Sequence, residues 1–109
     1  MNERDTLLVK KFKERLSENI LTHVKSVLVF GSRARGDARP DSDLDLAILV
    51  DLKTSQLEEA LQDAAYRAMW DFDFQPVISL KVFEKSRFDL AVKKGFSFYC
   101  HVTSQGIPV

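Results

Sequence analysis

The spacing of hydrophobic positions predicts that helices and strands alternate along the chain. Leu8, Phe12, Leu16 and Ile20 recur every fourth residue with charged residues between them, which indicates an amphipathic first helix. A second helical pattern opens at a capping box over residues 55–58 and is predicted to end near residue 70. The inward positions of this second helix are Leu57, Leu61, Ala64, Ala65 and Ala68.

Shorter apolar runs predict the strands. Residues 26–30 and 44–50 are typical of buried strands, and residues 71–80 alternate polar and apolar side chains, with Pro76 indicating an edge or a bulge. Two further helices are predicted over 83–94 and 96–104, broken at Gly95, with Gly106 as a C-cap. We therefore expect an α+β (α/β) fold: a small mixed β-sheet of three to four strands with helices packed on it.

A polar segment between the first two predicted strands begins with Gly31 and Ser32. Glycine lets a backbone approach a ligand closely, and Ser32 is a suitable N-cap for a following helical turn whose free N–H groups attract an anion. Gly36 is not followed by Lys and Ser or Thr, and no Gly-x-Gly-x-x-Gly occurs, which excludes the P-loop and the dinucleotide fingerprint. The Gly31–Ser32 pair is therefore a candidate phosphate cradle.

The same segment ends in an acidic pair, Asp43 and Asp45, at the edge of the second predicted strand. Residues two apart on a strand point to the same face, with alpha carbons about 7 Å apart. Such a pair can share divalent cations. A purely structural interpretation stays open here, because Arg33, Arg35 and Arg39 could neutralise the pair without any catalysis.

Composition limits the classes of function. A chain of 109 residues with 16 basic and 16 acidic side chains predicts one domain without the basic surface of a general nucleic-acid binder. The single Cys100 cannot form an internal disulfide, and no apolar run approaches the roughly 20 residues of a membrane span. We therefore expect a cytoplasmic protein with neither membrane attachment nor bulk nucleic-acid binding.

The Gly-Ser pair followed after ten residues by Asp-x-Asp resembles the signature of nucleotidyltransferases related to DNA polymerase beta. The longer string over residues 31–46 is similar to that of the minimal nucleotidyltransferases (MNT), many of which are antitoxins of HEPN/MNT toxin–antitoxin pairs. The resemblance is close only in the first half of the chain. It implies a polymerase-beta-like fold and a single minimal nucleotidyltransferase domain over residues 1–109.

The resemblance implies a metal site with three carboxylates. Asp43 and Asp45 would bind two Mg²⁺ ions, and a third carboxylate on a neighbouring strand would complete the site and accept the proton of the attacking hydroxyl. That role is carried onto Asp73 of the predicted third strand, with Asp71 as the alternative. The sequence departs from the family pattern at residues 74–76, which follow Asp73.

The resemblance also implies how the nucleotide is held. Gly31 and Ser32 would bind the beta and gamma phosphates of ATP. Arg33 or Arg35 would neutralise charge on the leaving pyrophosphate, and Arg35 is favoured because the family pattern retains an arginine there.

The implied partner is a HEPN toxin, an RNase, which the chain would silence by transferring AMP from ATP to a toxin tyrosine. Because no additional domain presents an acceptor, we expect the partner to bring it, in a hetero-oligomer with the toxin. Two alternatives remain: a non-catalytic antitoxin that neutralises its toxin by stoichiometric binding, and transfer to a small molecule or tRNA. Neutral charge makes the last less favoured.

Overall fold

The computed structural model describes residues 1–109 and contains a four-stranded mixed sheet with six helices. Both the class and the number of strands agree with the sequence-based prediction. The helices are α1 (Glu3–Glu14), α2 (Glu18–Leu21), α3 (Ser32–Arg35), α4 (Ser55–Trp70), α5 (Lys85–Lys93) and α6 (Ser97–Gln105). The strands are β1 (Val24–Phe30), β2 (Leu44–Val50), β3 (Ile78–Glu84) and β4 (Ile107–Pro108).

The strands lie in the order β3-β2-β1-β4. Strand β1 is antiparallel to both β2 and β4, whereas β2 and β3 are parallel. Parallel neighbours need a long crossover, and α4 supplies it. In this register Leu46 of β2 lies between Val29 of β1 and Leu80 of β3.

The two faces of the sheet are covered unequally. The face that packs against α1 and α4, here called the core face, belongs to a cluster of 19 buried residues that includes Phe12, Leu46 and Leu61. The opposite face, here called the site face, contains a cluster of four buried residues, two from β2 and one each from α5 and α6. These four are Ala47, Leu49, Phe88 and Val102.

The first two helical predictions need small corrections. Helix α1 ends at Glu14, and Ile20 belongs to the separate α2, because the Ser17 hydroxyl accepts the Ile20 N–H at 3.2 Å and starts a new helix. Helix α4 ends at Trp70 as predicted, and all its predicted inward positions are buried. Its N-cap is Thr54, whose hydroxyl accepts the Leu57 N–H at 3.1 Å, rather than Ser55.

The third strand was predicted over residues 71–80, and only residues 78–80 of that range lie in β3. Residues 71–77 form a turn with a cis Gln75–Pro76 peptide, and β3 begins only at Ile78. Asp73 and Phe74 have positive φ angles of 53° and 56°, which no strand accommodates. Phe72 and Phe74 pack against the core cluster from this turn, which explains why the segment imitates strand alternation.

Two later features differ from the sequence-based expectation, the start of α5 and the strand in the tail, and two agree with it. Residues 83 and 84 complete β3, so α5 begins at Lys85. The predicted break at Gly95 is confirmed, with φ of 79°, and Gly106 is the C-cap of α6. The tail was not predicted as a strand, but β4 pairs with β1 opposite Leu28 and Val29. None of the six helices is long and apolar enough to span a bilayer.

Candidate active site

The candidate site lies on the site face, where β1 ends and β2 begins. Gly31 follows β1 with φ of 75° and is the N-cap of α3, so Ser32 is the first helical residue rather than the predicted cap. A Cβ atom at Gly31 would overlap Oδ2 of Asp45. Glycine is therefore required here both for the backbone angle and for the close approach of the loop to Asp45.

Asp43 and Asp45 are brought to this junction as predicted. Asp43 is exposed immediately before β2, and Asp45 is half-buried within it, opposite Phe30 of β1. Neither carboxylate has a salt bridge within 4.0 Å. Burial raises the pKa of Asp45, and the Asp43 charge adds to this effect, while Lys81 and Arg35 lower the pKa. The pair is a negatively charged group with Lys81 and Arg35 nearby but with no salt bridge to any side chain of the protein.

The third carboxylate predicted for this site does not join the pair. No group of three or more His, Cys, Asp or Glu side chains is placed to hold a metal ion. Asp73 lies exposed in the turn before β3. Asp71 accepts a hydrogen bond from Arg15 at 2.7 Å, which lowers the pKa of Asp71. The structural basis for assigning either residue was wrong, because their segment is not a strand. Asp43 and Asp45 therefore stand without the third carboxylate that was expected beside them.

Arg33 also differs from its predicted role as a phosphate ligand. Its side chain is 6% exposed, and its Nη1 donates to Asp5 Oδ1 at 3.1 Å. Its other nitrogens donate to the Ser42 carbonyl at 2.8 and 3.0 Å and to the Pro40 carbonyl at 3.3 Å. These bonds occupy its donors, so Arg33 fastens the loop before β2 to α1. Arg33 is therefore held in a structural role, but its ion-pair partner is Asp5 and not the Asp43–Asp45 pair that a structural interpretation of the loop arginines expected.

Arg35 and Arg39 remain on the surface. Arg35 is exposed, its Nε lies 3.4 Å from Asp37 Oδ2, and its charge lowers the pKa of Asp45. Arg35 is thus the loop arginine that remains available to a bound anion near the acidic pair. Arg39 lines a separate cavity of about 590 Å³, together with Arg4, Pro40 and Pro76. That cavity includes neither Asp43 nor Asp45.

Sequence reasoning missed two residues of the site, Ser79 and Lys81. The parallel register places Ser79 opposite Asp45 and Lys81 opposite Ala47, on the site face. A signal was present in the chain, because Ile78, Leu80 and Val82 alternate with Ser79 and Lys81. Residues 71–77 alternate polar and apolar side chains in the same way, so the predicted strand was placed too early in the chain.

Comparison with known proteins agrees with this geometry. The profile of the family described as "Nucleotidyltransferase domain" matches residues 9–100. A Methanocaldococcus jannaschii protein named "putative protein adenylyltransferase" is 32% identical over 85 residues, which cover 75% of this chain and 86% of that protein. A solved structure described as a "putative minimal nucleotidyltransferase" matches with a TM-score of 0.61 and 24% identity, over 96% of this chain and 95% of that one.

The chain therefore belongs to the nucleotidyltransferase domain family, as its Gly-Ser and Asp-x-Asp residues predicted. Its fold matches that of a minimal nucleotidyltransferase.

Proposed function

We propose that this chain transfers AMP from ATP to a tyrosine hydroxyl of a partner HEPN toxin, and so acts as an antitoxin. One observation carries the transferase part of the proposal: Asp45 lies directly against the Gly31 loop of a nucleotidyltransferase fold, and neither Asp45 nor Asp43, two residues earlier, has a salt-bridge partner. The name of the archaeal relative supports a protein acceptor. The resemblance of residues 31–46 to MNT antitoxins supports the toxin as that acceptor.

In this proposal, one set of residues binds the divalent cation and another set binds the phosphates of ATP. Asp43 and Asp45 would hold a divalent cation such as Mg²⁺, which neutralises phosphate charge when bound. The free N–H groups at the start of α3, beginning at Ser32, face the beta and gamma phosphates, and Arg35 stabilises the departing pyrophosphate. The acceptor oxygen forms a bond to the alpha phosphorus as the bond to pyrophosphate breaks, and the hydroxyl proton passes to solvent water. Asp73 is not placed to take that proton.

A second function is favoured by one observation. Strand β3 brings no carboxylate to the pair, which weakens the case for a full catalytic metal site. The second candidate is therefore a non-catalytic antitoxin that neutralises its toxin by binding alone. Transfer to a small molecule or tRNA gains no support from a chain with a formal net charge of zero.

The test is to incubate the purified chain with Mg²⁺, each nucleoside triphosphate and a HEPN protein encoded beside it, and then to measure intact masses. We expect the partner to gain whole AMP units with ATP only, and its RNase activity to fall in parallel. Asp43→Asn should abolish the mass change. Asp41→Asn is the matched control, because it removes the same charge from an exposed position two residues earlier and should leave transfer intact.

The alternative outcomes are distinct. Tight binding without any mass change, with Asp43→Asn neutralising the toxin as well as the wild type does, would establish the non-catalytic antitoxin. Absence of both binding and modification would overturn the toxin as partner.

A further inference from the structure

The strand next to the acidic pair supplies no third acid at any position that faces it. In the parallel register, Leu44 lies opposite Ile78 and Asp45 opposite Ser79. Residues opposite each other in a sheet project to the same face, and side chains alternate along each strand. The β3 residues on the site face are therefore Ser79, Lys81 and Phe83, and the same alternation continued backwards gives Val77. None of these side chains is acidic: Val77 and Phe83 are apolar, Ser79 carries a hydroxyl and Lys81 an ammonium group.

The strand on the other side offers no acid either. Asp45 lies opposite Phe30 of β1, and Ala47 lies opposite Leu28. The Phe30 ring packs edge-on against Phe98 of α6, with centroids 5.8 Å apart. Asp45 is thus flanked by an aromatic ring and a hydroxyl-bearing side chain, and neither adds the negative charge that a third carboxylate would bring.

Lys81 instead brings positive charge to the site. Its side chain is exposed, and it forms no salt bridge within 4.0 Å. Among the charges near Asp45, Lys81 has the largest effect on its pKa, ahead of Asp43 and Arg35. Lys81 and Arg35 together match the two negative charges of Asp43 and Asp45. A site whose positive and negative side-chain charges are equal in number needs fewer added cations than a site with three carboxylates.

We propose that this site binds one divalent cation with the nucleotide, held by Asp43 and Asp45, and that the Lys81 ammonium contacts the triphosphate in place of a second ion. A lysine is a suitable point charge for phosphate. This inference rests on the proposed nucleotide site, and it concerns the composition of that site rather than the acceptor.

The test counts Mn²⁺ ions bound to the full chain with a non-hydrolysable ATP analogue, by equilibrium titration and electron paramagnetic resonance. Two ions about 3.5 to 4 Å apart would couple magnetically, whereas one ion gives an uncoupled spectrum. We expect one uncoupled Mn²⁺ per bound nucleotide in the wild type. Ser79→Asp adds the missing carboxylate opposite Asp45 and should bind a second, coupled ion, while Ser79→Asn controls for shape and should bind one.

A second pair of variants tests the lysine. Lys81→Met should weaken analogue binding about tenfold, because a charge-assisted contact is lost, and should leave the melting temperature unchanged. Lys25→Met removes an exposed lysine from β1 and should leave binding unchanged. A coupled ion pair in the wild type, no Mn²⁺ bound with the analogue, or equal affinities of wild type and Lys81→Met would overturn the proposal.

The two proposals fail differently. If the ion counts are as expected but no partner gains AMP, the transfer reaction is wrong and the site composition stands. If the partner gains AMP and the wild type binds a coupled pair, the transfer reaction stands and the role of Lys81 is wrong.

Discussion

The two faces of the sheet differ in whether their charged side chains have ion-pair partners. On the core face, 19 buried residues pack together, and the only buried charged side chains of the protein, Asp5 and Arg33, pair with each other beside it. On the site face, four buried residues suffice, and Asp43 and Asp45 lie beyond them without a salt bridge. Stability is thus concentrated on one side of β2, and charge available for chemistry on the other.

The largest expected effect comes from Arg33→Met. Removing this side chain leaves the Asp5 carboxylate, which is 1% exposed, without its ion-pair partner, and we expect a loss of about 3–5 kcal/mol in the free energy of unfolding. Urea denaturation measures it. Arg35→Met is the control and should change stability by less than about 0.5 kcal/mol while weakening nucleotide binding. A stable Arg33→Met protein that no longer binds nucleotide would restore Arg33 as a phosphate ligand.

Two leucines of β2 compare the faces directly. Leu46 is fully buried in the large cluster, whereas Leu49 is 5% exposed and belongs to the small one. We expect Leu46→Ala to cost about 4 kcal/mol and Leu49→Ala about 2 kcal/mol, because fewer neighbours surround the second cavity. Thermal and urea unfolding measure both. Equal losses in the free energy of unfolding would show that the two faces contribute equally to stability, which would contradict the comparison.

Alanine substitutions at two glycines distinguish the cost of a strained backbone from the cost of a side chain that overlaps the site. Gly31 and Gly36 have φ angles of 75° and 88°, so alanine at either position should cost about 1–2 kcal/mol. A Cβ atom would overlap Asp45 only at Gly31, and at Gly36 it meets nothing within 4 Å. We expect Gly31→Ala to abolish binding of an ATP analogue and Gly36→Ala to retain it, as measured by calorimetry. Retained binding in Gly31→Ala would show that the loop need not approach Asp45.

The smallest effects concern the pH dependence of stability. Burial raises the pKa of Asp45 above 3.8 in the folded state, so the native protein binds this proton more tightly than the unfolded chain does. Stability from this group therefore falls as pH rises from 3.8 through the folded pKa. Without metal at neutral pH, Asp45→Asn should melt slightly higher than the wild type while losing AMP transfer.

Asp71 serves as the control, because its effect on the pH dependence of stability is opposite in sign to that of Asp45. The hydrogen bond from Arg15 lowers the pKa of Asp71, so its contribution is present above 3.8 and is lost as pH falls through the folded pKa. Asp71→Asn should therefore melt slightly lower at neutral pH, and the difference should vanish in acid. If both asparagine variants shifted the melting temperature in the same direction, the account of Asp45 as a carboxylate destabilised by burial would be wrong.

The site motif could be predicted from the sequence because its parts are local. Gly31 and Ser32 follow one apolar run, and Asp43 and Asp45 open the next, so the order of residues alone brings them to adjoining strand ends. Helix α4 could also be predicted, because its buried apolar residues recur at helical spacing over 16 residues.

What could not be predicted depends on contacts between distant segments. Arg33 reaches Asp5 across 28 residues, and no local pattern distinguishes it from Arg35. The turn at residues 71–77 is held by Arg4, which donates to the carbonyls of Phe72 and Gln75. Without those contacts, its alternating residues were interpreted as a strand, and the third ligand was placed on Asp73. The register that sets Ser79 beside Asp45 is likewise a property of the sheet.

The most direct test of the contrast between the faces is a ¹H–¹⁵N spectrum of the chain titrated with Mg²⁺ and a non-hydrolysable ATP analogue. The account predicts shifts at Gly31, Ser32 and Arg35, at Asp43 and Asp45, and at Ser79 and Lys81, with the amides of α1 and α4 unmoved and the response lost in Asp43→Asn. An unchanged site face, or shifts gathered instead around Arg4 and Arg39 in the separate cavity, would contradict it.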